Sequence, residues 1–243
     1  MSAEARPAFY ALAPGSWRDY VTLLHPPYTA WHLSYVVIGA CLAPGASVAR
    51  LLPTLAAFFL GLGIGAHALD ELRGRPLATG IPGSALVFLA VASLAGAAAV
   101  GIVGAVTVDA WIAAFVAVGV FIAVAYNLEL AGGWFHGDVP FGLFWGAFPV
   151  LTAYFAESER LRVEAFLAAV FAFALSLAQR QLSTPVRDLR RRVRRVGGTI
   201  ERTDGSVEPL DEAALLAAPE AALATLTAAT VALAVALAIM RFT

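Results

Sequence analysis

The sequence predicts an all-α integral membrane protein of about seven transmembrane helices, with a small hairpin after the sixth. Three observations carry this. The 243 residues are 60% hydrophobic and only 14% charged, with a mean hydropathy of +0.78, whereas soluble domains carry about 25% charged residues. The apolar runs are continuous rather than alternating, which favours helices over a barrel. Breaks at Pro44-Gly45, Pro76 to Pro82, Gly132-Gly133, Pro140, Pro185 and Pro219 cut the runs into pieces of roughly membrane-crossing length.

Taken in order, the predicted spans are 30–42, extended backwards through "HPPYTAWH", then 51–69, 84–106, 110–128, 141–156, 163–182 and 220–240. The Pro-Pro pair at 26–27 sets the start of the first. The fifth is short and holds Pro149, so a kink or tilt is expected there. Between spans six and seven, Val186, Leu189, Val193 and Val196 make an apolar stripe at helical spacing with six arginines around it. That pattern predicts an interfacial amphipathic helix drawn to anionic lipid headgroups. Asp204-Gly205 between "TIERT" and "SVEP" then signals a β-hairpin. The organisation is a single transmembrane domain over 1–243, with residues 186–212 as a cytoplasmic insertion of helix plus hairpin.

Charge assigns the sides. All sixteen basic residues are arginine. With seven spans, twelve of them (Arg6, Arg18, Arg73, Arg75, Arg180, Arg187, Arg190, Arg191, Arg192, Arg194, Arg195 and Arg202) share one face, and Arg50, Arg160, Arg162 and Arg241 share the other. The richer face is expected in the cytoplasm. This places the N-terminus inside and the C-terminus outside, most simply in a plasma (inner) membrane. All four histidines and most polar residues at membrane depth fall on the same inner face. Nucleic-acid binding is a poor use of arginines in that position. With Cys41 as the single cysteine, neither an internal disulfide nor a multi-cysteine metal site is possible.

Three stretches carry candidate chemistry. "GIGAHALDELRGRPLATGIPG" puts His67, Asp70 and Glu71 on one helix face. As hard oxygen ligands the carboxylates suit a divalent cation; equally, they suit a helix end dissolving into headgroups. Arg73 and Arg75 are phosphate binders or membrane anchors. "VAYNLELAGGWFHGDVPFG" brings Tyr126, Asn127 and Glu129 towards one face, followed by His136 and Asp138, an acid–base or metal pair or a helix cap. "SLAQRQLSTP" leaves Gln179, Arg180 and Gln181 at membrane depth, where Arg180 needs a partner, Glu129 or Asp70 by this reading.

These residues together resemble the UbiA superfamily of intramembrane prenyltransferases. "HALDELRGRPLATGIP" looks like the family's first aspartate motif with its trailing R-P-L-x-x-G, matched by Arg75, Pro76, Leu77 and Gly80. "AYNLEL" looks like the tyrosine-containing end of the fourth helix, and "LLHPPYTAWHLSYVVIGACLA" like the first helix. The resemblance implies a UbiA-like bundle with a polar cavity open to the cytoplasm and sideways to lipid. It implies a divergent prenyltransferase-type transferase handling an isoprenoid or lipid phosphate. In that role Asp70, Glu71 and His67 would hold magnesium or another divalent cation. Arg73, Arg75 and Arg180 would hold the phosphate, and Glu129 or His67 would act as acid–base. The second aspartate motif would fall on Gln181, Thr184 and Asp188, where one carboxylate is kept. Two other readings stay open. One is a non-catalytic descendant that binds lipid or partners another membrane protein; the other is a metal-dependent membrane hydrolase.

Overall fold

A computed structural model describes residues 6–243; the first five residues of the predicted 1–243 domain lie outside the described part. The chain is mostly helical: α1 (Ser16–Leu23), α2 (Pro26–Leu42), α3 (Val48–Leu72), α4 (Gly83–Thr107), α5 (Ile112–Asn127), α6 (Asp138–Ser158), α7 (Val163–Arg192) and α8 (Glu212–Phe242). Five of these, α3, α4, α6, α7 and α8, are long and apolar enough to cross a membrane, and α5 is a shorter apolar helix. This is the make-up of an all-α membrane protein. Between α7 and α8, β1 (Thr199–Glu201) pairs antiparallel with β2 (Val207–Pro209), and both strands are fully exposed.

Local chemistry sets the helix starts. Ser47 accepts the Arg50 amide ahead of α3, and Asp211 accepts the Ala214 amide ahead of α8. Two helices carry a wide stretch inside them. Phe59–Ala66 of α3 and Gly142–Ala147 of α6 are π-wound, with about one extra residue per turn, a form that recurs beside functional sites.

Two proline breaks expected from sequence are absent. α7 runs straight through Pro185, and α8 starts before Pro219 and runs through it. An interior proline costs a helix about 3 kcal/mol, so tertiary contacts must outweigh it. Those contacts are visible. Val186 of α7 packs with Leu216 and Leu223 of α8, with Leu189 beside them. Arg190 grips both oxygens of Glu220 at 2.6 and 2.9 Å. The apolar stripe beyond Pro185 therefore continues α7 and pairs with α8 rather than forming a separate helix.

α2 is the hub. Trp31, Tyr35 and Ile38 meet Ala147 and Val150 of α6, Ala169 and Ala172 of α7 and Ala234 of α8. The Trp31 indole donates to the Tyr35 hydroxyl at 2.6 Å, satisfying a buried polar group. Contact is closest at two glycines. A Cβ on Gly39 would stand 2.4 Å from the Val150 carbonyl oxygen, and one on Gly146 would stand 2.5 Å from that of Ala172. A second layer of Leu62, Ala66, Ile122, Ala123, Tyr126 and Trp145 joins α3, α5 and α6. On one side of it an apolar cavity of about 440 Å³ extends among α3, α4, α5 and α6, reaching Leu62, Ala123 and Trp145 at its inner end. On the other side of that layer polar side chains gather at the arginine-rich end, where His67 stacks on His25 and Arg180 meets Tyr126 and Asp138.

Candidate functional site

The charged stretch after α3 splits into structure and site. Glu71 is 1% exposed, and its oxygens accept the Leu77 amide, the Thr79 amide and the Thr79 hydroxyl at 2.8–2.9 Å. Arg75 donates to the Ile81 carbonyl at 2.6 Å. Arg73 reaches the Leu128 carbonyl and the Glu129 carboxylate at 2.7 and 2.8 Å. Glu71, Arg73, Arg75 and Glu129 thus fold and fasten the loops at that end. In the structure each of the four is bonded to the protein itself.

His67 and Asp70 face inward. The Gly63 carbonyl lies 3.1 Å from Nδ1 of His67. A carbonyl only accepts, so Nδ1 carries the proton and Nε2 of the neutral ring is bare. The ring stacks on His25 at 4.1 Å and 10°. His25 sits in the left-handed region (φ 46°), shares a 2.8 Å hydrogen bond with the Tyr10 hydroxyl through Nδ1, and has a buried Nε2 with no partner among the described residues. Burial raises the Tyr10 phenol well above its ordinary pKa, so it stays a neutral hydroxyl. Asp70 is half-buried and accepts no hydrogen bond from the described residues.

Arg180 does not pair with Glu129 or Asp70. It donates to Asp138 at 2.5 Å, to the Tyr126 hydroxyl at 2.7 Å and to the His136 carbonyl at 2.7 Å, with its guanidinium 5.3 Å from the Phe141 ring centre. His136 stacks on Tyr126 at 4.4 Å. Asp138 is 73% exposed, so water covers it when its partner goes. Arg180→Leu should lower stability by only about 1–2 kcal/mol, the weight of the lost hydrogen bonds. Thermal unfolding in one detergent measures this, and a collapse of the fold would contradict it.

The other candidates scatter. Asn127 is buried and donates to the Ala123 carbonyl inside its own helix. Gln179 is buried with Oε1 unpartnered among the described residues. Gln181 is exposed, and Asp188 is exposed at 3.8 Å from Arg192. Among the described residues no three of His, Cys, Asp or Glu converge as a metal site requires.

Two residues join the site that the sequence reading had placed against lipid, Arg187 and Arg191. They follow Arg180 by seven and eleven residues, and at about 100° per residue all three share one helix face. Continuing α7 through Pro185 was the signal that finds them. Neither pairs with a carboxylate among the described residues. Arg187 bonds only the Thr184 hydroxyl at 3.3 Å, and Arg191 the Pro7 carbonyl at 3.2 Å.

Fold and site define a class: a helical membrane protein with a cluster of histidine, tyrosine and arginine side chains at one end of its bundle. Comparison with family models, curated proteins and solved structures finds no match.

Proposed function

We infer that the chain is a seven-span, UbiA-like membrane protein that binds an isoprenoid or other lipid phosphate, with its head at the arginine-rich end. α2 and α5 complete the spans, with the N-terminus cytoplasmic and the C-terminus external. One observation carries the reading. Two arginines on one face of α7, Arg187 and Arg191, pair with no carboxylate among the described residues and bond only the Thr184 hydroxyl and the Pro7 carbonyl. Guanidinium forks match phosphate oxygens and bind them by charge-assisted hydrogen bonds. The apolar cavity behind Trp145 supports a hydrocarbon chain at membrane depth. The carboxylates that a magnesium-bound diphosphate needs are committed elsewhere, Glu71 and Glu129 to loop structure. The phosphate is therefore held by arginine directly. Arg192, Arg194 and Arg195, exposed at the end of α7 and just beyond it, suit anionic headgroups of the surrounding leaflet.

A transferase reading is favoured by one feature: the bare Nε2 of His67, one turn from Asp70, is placed to accept a proton. Binding comes first in either case. Farnesyl monophosphate should stabilise the full chain in detergent without added magnesium. At 100 times its dissociation constant the gain is about 2.7 kcal/mol. Arg187→Gln with Arg191→Gln should abolish the shift. No shift with farnesyl monophosphate or diphosphate, with or without magnesium, overturns the reading.

A further inference from the structure

We propose that the apolar cavity among α3, α4, α5 and α6 is a second lipid site, with its mouth at the end of the bundle away from the arginine-rich one, and that it takes an uncharged lipid with a hydroxyl head. This assigns the cavity's hydrocarbon chain to a second molecule. The phosphate reading stands on Arg187 and Arg191, so the two sites are independent.

Burial along the wall gives the cavity a floor and a mouth. Leu62, Ile122, Ala123 and Trp145 are buried and close it at the layer that parts it from the polar cluster. At the other end Ala49, Pro53, Val103 and Thr107 are exposed. From Leu62 back to Arg50 the wall follows α3 for about 18 Å, at about 1.5 Å per residue. The volume of about 440 Å³ is that of a ligand pocket. An apolar cavity takes hydrocarbon rather than water. With the floor at Trp145, the chain that lies here belongs to a lipid whose head is at the Arg50 end.

The mouth offers acceptors and no unpaired charge. Among the residues that line the cavity, Arg50 alone is charged. Its Nη1 donates to the Ala156 and Glu157 carbonyls at 3.3 and 3.0 Å, and its Nη2 to the Glu159 carboxylate at 2.8 Å. An anionic head would have to displace Glu159. Three hydroxyls share the wall. Thr54 donates to the Arg50 carbonyl, Thr107 to that of Val103 and Thr152 to that of Phe148, each at 2.8 Å. A hydroxyl has one proton, so each has spent its donor and keeps lone pairs. Lone pairs accept from an alcohol and repel a phosphate or carboxylate. The guest that suits this mouth carries a hydroxyl and no charge.

Melting of the full chain in phosphatidylcholine nanodiscs tests this, with farnesol as the uncharged probe and farnesyl monophosphate as the charged one. Saturating farnesol should raise the melting temperature by about 5–10 °C. The same rise is expected in Arg187→Gln with Arg191→Gln, which should give no shift with the monophosphate. Ala57→Leu and Ala97→Leu each enlarge a side chain of the wall and should lose the farnesol shift. Valine at 54, 107 and 152 together removes the acceptors and should weaken farnesol about fivefold or more, the weight of one hydrogen bond. No farnesol shift in the wild type overturns the site, as does a full shift in both leucine variants. A farnesol shift lost with Arg187 and Arg191 puts the alcohol at the arginine-rich end and overturns it too. A monophosphate shift kept in that double variant overturns the uncharged head. No monophosphate shift in the wild type overturns the lipid-phosphate reading alone.

Discussion

Glu71→Gln lowers the stability of the ligand-free protein by about 2–3 kcal/mol, the range for losing hydrogen bonds to a buried charged group. The reason is geometric. Oε2 accepts the Leu77 amide, and Oε1 accepts both the Thr79 amide and hydroxyl. An amide side chain has one oxygen, so its NH₂ must face a donor on one side or the other. The 73–81 loop then keeps a buried N–H without an acceptor, and the packing of Ala8 and Ala11 on Leu77 loosens with it. Glu71→Ala loses every bond and leaves a void, so it falls further. Thermal unfolding of both variants in one detergent is the measurement. A carboxylate kept for a metal would behave in the opposite way: Glu71→Gln would leave the free protein's melting temperature in place and remove only a response to cations.

Gly39→Ala is expected to be as damaging, about 3 kcal/mol, at the upper end for overpacking a well-filled core. The added carbon would sit 2.4 Å from the Val150 carbonyl oxygen and 2.9 Å from its Cα. Both are backbone atoms and cannot rotate away, so α2 and α6 must separate. That displaces Trp31 and Tyr35, on which α6, α7 and α8 all rest. Gly104→Ala is the control. Its Cβ would meet Ile112 at an ordinary 3.6 Å, and alanine improves helix propensity by about 1 kcal/mol. Its melting temperature should hold or rise. Equal losses at both positions would mean that close α2–α6 approach is not what Gly39 serves.

The sequence made the apolar segments legible because a membrane helix announces itself by composition over its whole length. The clustering of histidines and arginines at one end was legible for the same reason. What stayed hidden depended on contacts between distant residues. Pro185 reads locally as a helix end, yet Val186 and Arg190 find Leu216 and Glu220 on α8, and these outweigh the proline. That misplaced end also concealed Arg187 and Arg191. Arg180 called for a carboxylate, but several stood on the same face, and only the fold selects Asp138. Glu71 and Asp70 are adjacent and chemically alike. One turns under a loop and the other toward the polar cluster, a distinction set by where residues 77–79 return.

The π-wound stretch Phe59–Ala66 sets the phase of everything that follows it in α3. Rewinding all of its residues as ordinary α-helix would turn the downstream helix by about 100° about its axis. His67 and Asp70 would swing away from the polar cluster together, and Glu71 would lose its loop. The expanded turn acts like a vernier between two halves of one helix. The outer half is indexed to its packing against α4, and the inner half to the polar cluster. A residue added inside 59–66 uncouples those two alignments even though no polar residue has been touched, whereas the 131–137 connection between helices has no such phase to keep.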